Sequence, residues 1–82
     1  MSGATVTVYS REGCHICVEA LEELRSMAAE HPELEIEVVD IDGDDELLKR
    51  YLERIPVVMI AGEEVSDLVL DADAVRSRLG SP

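Results

Sequence analysis

Residues 9–24 read YSREGCHICVEALEEL, and this stretch holds both cysteines of the 82-residue chain, Cys14 and Cys17, with only His15 and Ile16 between them. Upstream, ATVTVY (residues 4–9) is compact and rich in β-branched side chains, which predicts a strand. Gly13 permits a sharp turn. Downstream, Ile16, Ala20, Leu21, Leu24, Met27 and Ala28 recur at helical spacing, with Glu19, Glu22, Glu23 and Ser26 on the opposite side. His31–Pro32 ends that helix, because proline cannot extend the hydrogen-bond ladder and restricts the residue before it. The cysteines therefore sit at a strand–turn–helix junction. Three chemistries compete for them: half a metal site, a structural staple, or a redox pair.

The rest of the chain continues the alternation. LEIEVV (residues 34–39) places Leu34, Ile36 and Val38 on one face and Glu35 and Glu37 on the other, a strand wet on one side and near a sheet edge. DIDGDDE turns the chain and supplies aspartates for helix capping. Leu47, Leu48, Tyr51, Leu52 and Ile55 mark the inner face of a second helix, acids leading (Asp44, Asp45, Glu46) and bases trailing (Lys49, Arg50, Arg54). Pro56 opens a third strand, VVMI, and Gly62 turns it into a fourth near Val65. DADAVRSRLG reads as a last helix stopped by Gly80. The order β-α-β-α-β-β-α predicts one α/β domain over residues 1–82, its first two strands parallel and its last two a hairpin.

Composition narrows the classes of function. Nineteen acidic residues face seven basic ones, for a formal charge of −12. Such a surface is repelled by nucleic-acid phosphates and anionic lipid, so neither partner is expected. No apolar run approaches the roughly 18 residues of a membrane helix, and Met1–Ala4 carries no secretory signature. A cytoplasmic home and a monomer are the expectations.

A loop closed between cysteines three apart is too short to restrain the unfolded chain usefully, which removes the staple. A tetrahedral metal site wants four ligands, and no second ligand pair is visible; His31 falls at the far end of the helix. Only a dimer sharing two pairs could hold a metal or an iron–sulfur cluster. The redox reading places Cys14 at the helix cap, where unpartnered backbone N–H groups and the positive end of the helix dipole favour thiolate. Arg11 adds positive charge and Glu12 opposes it. Cys17, one turn in, is less exposed. Cys14 is thus the expected nucleophile and Cys17 the resolving thiol. His15 either points to solvent or, as a cation, helps tune Cys14.

These residues resemble the glutaredoxin-like branch of the thioredoxin superfamily from Thr5 to Leu79. YSREGCHIC is similar to the glutaredoxin active-site run, with Arg11 as the basic residue three before the first cysteine. ERIPVV resembles the segment carrying that fold's cis-proline. The resemblance implies a thioredoxin-like fold with a four-stranded mixed sheet flanked by helices, and a cis Ile55–Pro56 bond. It also implies that Arg11, Ile55 and Pro56 bind substrate, Ile55 through its backbone. It implies disulfide reductase activity on protein disulfides or a low-molecular-weight thiol such as glutathione, with a small thiol or a reductase as electron donor and no bound cofactor. A non-catalytic thioredoxin-fold interaction module is the remaining alternative. Glutaredoxins carry a Gly-Gly pair before the last helix to cradle the glutamyl end of glutathione. Here VSDLVLDADA stands in that place, so weak use of glutathione is expected, with Asp67 as a partial substitute.

Overall fold

The computed structural model describes residues 4–78. Strands β1 (Ala4–Ser10), β2 (Leu34–Asp40), β3 (Val57–Ile60) and β4 (Glu63–Ser66) form one sheet in the order β2-β1-β3-β4. β1 and β2 run parallel, while β3 is antiparallel to both β1 and β4. Helices α1 (His15–Glu30), α2 (Asp45–Tyr51) and α3 (Ala72–Arg78) flank it. This is the expected α/β architecture with a mixed four-stranded sheet.

Strand periodicity decides which helix lies where. Successive side chains of a strand point to opposite faces. Val6 and Val8 of β1 join Val58 and Ile60 of β3 in one core with Leu24 and Met27 of α1 and Val75 of α3. Their neighbours Tyr9, Val57 and Met59 point the other way, into a second core with Ile41, Leu47 and Tyr51. Three layers result: α1 and α3 on one face, α2 on the other. The central strands are covered twice, and Val57 and Val58 are both fully buried. The chain's two aromatic rings meet in the smaller core, Tyr9 stacked on Tyr51 with centroids 4.7 Å apart. The Arg54 guanidinium lies 5.7 Å from the centre of the Tyr51 ring.

Local chemistry explains the element ends. Asp40 caps a 3-10 turn at Ile41–Gly43, accepting from the Asp42 amide at 2.9 Å. Asp44 caps α2 by accepting from Glu46 at 2.8 Å, and Asp71 accepts from Ala74 at the start of α3. The β3–β4 hairpin turns on Ala61 (φ 54°) and Gly62 (φ 78°), the pair of positive φ values a two-residue type I′ loop requires.

Three apolar residues, Ile16, Leu52 and Val38, depart from the sequence reading. Ile16 is 45% exposed, because the inner stripe of α1 runs through Cys17, Ala20, Leu24 and Met27 and leaves Ile16 on its shoulder. Leu52 is also exposed, since α2 ends at Tyr51 and the chain turns there, the Arg54 amide donating to the Tyr51 carbonyl. On β2, Leu34 is buried, Ile36 half-buried and Val38 exposed. An edge strand stays dry only where α1 crosses it. The stop expected at Gly80 lies outside the described residues.

Candidate functional site

β1 ends at Ser10 and α1 begins at His15, so four residues make the turn between them. Gly13 has φ 84°, the left-handed region that favours glycine, and the Cys14 amide donates back to the Arg11 carbonyl at 3.2 Å. Cys14 is the N-cap of α1, with extended backbone. The Cys17 amide, one of the N–H groups that a helix start leaves without an intrahelical partner, donates to Cys14 Sγ at 3.2 Å. Cys14 and Cys17 are joined as a disulfide across a Cα–Cα distance of 5.2 Å, within the ordinary range for such a bond.

The two sulfurs differ in access. Cys14 is half-buried and borders an open depression lined by Arg11, Glu12, Gly13 and Asp42. Cys17 is 2% exposed and belongs to the buried stripe of α1. Cys14 is thus the more accessible sulfur of the pair, and Cys17 lies buried in the next turn.

The other sequence-derived candidates take distinct places. Arg11 stands at the mouth of the depression, its Nε donating to Asp42 Oδ2 at 3.1 Å. His15 points into solvent, its side chain 90% exposed and its Nε2 3.8 Å from a Glu19 carboxylate oxygen. Ile55 is half-buried against the Tyr51 core, and Pro56 is fully buried. The Ile55–Pro56 bond is cis, as the resemblance implied. Among the described residues no group of three or more His, Cys, Asp or Glu side chains is arranged to hold a metal ion.

Residues 5–80 match the glutaredoxin-like domain family (DUF836). The chain belongs to that family. An uncharacterised protein of Mycobacterium tuberculosis is 33% identical over 91 residues, an alignment spanning 100% of this chain and 94% of that protein. The solution structure of protein Ne2328 from Nitrosomonas europaea superposes with a TM-score of 0.84 at 33% identity, covering 98% of this chain and 95% of its own. The X-ray structure of Fasciola hepatica thioredoxin gives a TM-score of 0.68 at 22% identity, over 95% of this chain and 79% of that one. The glutaredoxin-like domain is thus a thioredoxin fold carrying its cysteine pair at the start of α1, an arrangement of redox type.

Two features of this glutaredoxin-like site escaped the sequence reading. Asp42, in a run read only as helix caps, neutralises Arg11. Arg54, one residue before Ile55, clamps the segment after β4: its Nε donates to Asp67 Oδ2 at 3.1 Å, its Nη2 pairs with Glu64, and its carbonyl accepts from the Leu68 amide at 2.9 Å. The hydrogen bonds it donates, first to Glu64 and then to Asp67, hold the pKa of the Arg54 guanidinium above its ordinary value. Asp67, the candidate acceptor for a glutamyl ammonium, is therefore already engaged. No helix among the described residues is long and apolar enough to cross a membrane.

Proposed function

We propose that the protein is a thiol–disulfide oxidoreductase in which Cys14 is the nucleophile and Cys17 the resolving thiol. The observation that carries this reading is the asymmetry of the pair: an accessible sulfur at a helix cap, accepting a backbone N–H, above a buried one in the next turn. In the reduced protein that N–H and the helix dipole favour the Cys14 thiolate. The thiolate attacks one sulfur of a substrate disulfide, and the other sulfur leaves as a thiolate that takes a proton. Cys17, deprotonated, then attacks Cys14 of the mixed disulfide and expels the second substrate thiol. Two electrons pass to the substrate, and the Cys14–Cys17 disulfide remains. A low-molecular-weight thiol or a reductase returns the two electrons, which suits a reducing compartment such as the cytoplasm.

Arg11 supports the thiolate and draws anionic groups, with its charge attenuated by Asp42. The Ile55 backbone before cis-Pro56 offers pairing to an extended substrate, and His15 adds positive charge at the rim when protonated. Protein disulfides and mixed disulfides of small thiols are the substrates.

Mixing the reduced Cys17→Ser protein with a model protein disulfide tests this reading by intact-mass spectrometry. A mixed disulfide at Cys14 is expected, while Cys14→Ser should form none. Equal trapping by both variants, or no trapping by either, overturns the assignment. A visible absorption spectrum of anaerobically purified protein showing a stoichiometric cluster would replace it with the shared-site dimer.

A further inference from the structure

An open depression of about 400 Å³ borders Cys14, and Arg11, Glu12, Gly13 and Asp42 complete its lining. A space of this size holds one half of a small disulfide. Gly13 adds no bulk to it, and a Cβ there would meet no atom within 4 Å.

The charge of the depression is opposite to what Arg11 by itself suggests. Arg11 Nε lies 3.1 Å from each oxygen of the Asp42 carboxylate, so the guanidinium is already neutralised. Glu12 stands exposed beside them as a second carboxylate, which leaves the lining one negative charge in excess. No other cation lines it among the described residues. Lys49, Arg50 and Arg54 line a separate groove along α2, and His15 extends into solvent toward Glu19.

The fold fixes Asp42 at this position. It lies in the 3-10 turn Ile41–Gly43, whose Ile41 is fully buried in the smaller core, and its amide donates to Asp40 Oδ1 at 2.9 Å. The carboxylate therefore meets Arg11 from an anchored turn. An incoming carboxylate would have to displace Asp42 from Arg11 and remain among like charges, whereas an ammonium meets two carboxylates.

We propose that the depression selects small disulfides bearing an amine over those bearing a carboxylate, with Asp42 as the residue that sets the preference. Resting on the thiol–disulfide reading above, this preference narrows the small-molecule substrates. Cys14 Sγ bonds to one sulfur of the amine-bearing disulfide as its S–S bond breaks, and the other half leaves as a thiolate that takes a proton. The half retained on Cys14 lies in the depression until Cys17 expels it. Exposed contacts of this kind are weak, so the preference is about three- to tenfold at low salt and fades as salt rises.

Three symmetric disulfides of similar size test the preference: bis(2-aminoethyl), bis(2-hydroxyethyl) and bis(2-carboxyethyl) disulfide. The reduced Cys17→Ser protein is quenched at intervals with each, and intact mass gives the rate of mixed-disulfide formation at Cys14. Dividing by the rate of 2-mercaptoethanol with the same disulfide removes the reagents' intrinsic reactivity. The aminoethyl compound should then exceed the carboxyethyl compound by about three- to tenfold at low salt, with the hydroxyethyl compound between them. Asp42→Asn should bring that ratio to about one or below, and Glu12→Gln should narrow it by less. Any change in Cys14 ionisation cancels in the ratio. Glu30→Gln removes the same charge from the far end of α1 and should leave the ratio unchanged. A wild-type ratio near one, a ratio favouring the carboxylate, an Asp42→Asn or Glu12→Gln ratio equal to wild type, or an equal response to Glu30→Gln overturns the preference. The protein with both cysteines separates the preference from the chemistry. Ranked attack by Cys14 with no Cys14–Cys17 disulfide forming sinks the redox reading and keeps the preference; complete turnover of all three at equal normalised rates does the reverse. No reaction at Cys14 overturns both.

Discussion

The two sides of the cysteine pair are built by different physics. The turn from β1 into α1 is local: Gly13, the cap at Cys14 and the buried stripe from Cys17 to Met27 all follow from residues within one stretch of chain. The segment from Asp67 to Leu70 is assembled at a distance, by Arg54 reaching across to Glu64 and Asp67. The first region carries the cysteine pair and the second exposed aliphatic side chains, Leu68 and Val69. A nucleophile needs a few N–H groups in a fixed place, which a helix start supplies. Selectivity needs surfaces brought together from separate parts of the chain.

The largest expected effect falls on the local side. Cys14→Ser should reduce the rate of disulfide reduction, followed by thiol release, to the uncatalysed background. Residual turnover through Cys17 would mean that burial does not set the order of attack.

Next comes stability. Leu24 is fully buried between α1 and the sheet, so Leu24→Ala should cost about 2–5 kcal/mol in denaturant unfolding. Val69→Ser, in the exposed segment, should stay within about 0.5 kcal/mol of wild type. If Val69→Ser destabilised the protein as much as Leu24→Ala, its side chain would belong to the core despite its exposure.

Glutathione sharpens the comparison further. Docked as the glutaredoxin resemblance implies, its glycyl carboxylate would meet an Arg11 shared with Asp42, and its ammonium an Asp67 shared with Arg54. Weakening a charged hydrogen-bonded anchor costs on the order of 1.5–3 kcal/mol, or about tenfold or more in affinity. Turnover in a glutathione-coupled assay should be slow accordingly, and a thioredoxin-type reductase or another thiol should do better. Fast, saturable turnover with glutathione would show that the pairs open readily.

The smallest effect is expected from Asp42→Asn, which frees Arg11. Alkylation of Cys14 at neutral pH should quicken by about two- to fivefold at low salt, and Arg11→Ala should slow it. A response in the opposite direction would remove Arg11 from the electrostatics of Cys14.

How legible each region was follows from the same division. The cap at Cys14, the turn at Gly13 and the alternation of Val6, Val8 and Tyr9 obey rules that span a few residues, and the sequence declares them. Ile16 looked internal because it matches the helical period, yet the stripe is narrow at the first turn and leaves it outside. Asp42 is 31 residues from Arg11, in a run where Asp40 and Asp44 do cap; nothing in DIDGDDE distinguishes the one that turns to a distant guanidinium. Leu68 gives no sign of its left-handed backbone, because neither glycine nor asparagine marks the position. Such features exist only once the chain has folded.

The stacked tyrosines have a practical consequence. The protein has no tryptophan or phenylalanine, so its intrinsic fluorescence arises entirely from Tyr9 and Tyr51. One ring stands on the strand that leads into Cys14, and the other sits at the end of α2, beneath Arg54. Emission and near-ultraviolet dichroism therefore form a label-free optical gauge of whether that strand and α2 remain in register. The gauge can be read while the cysteines are oxidised, reduced or caught in a mixed disulfide.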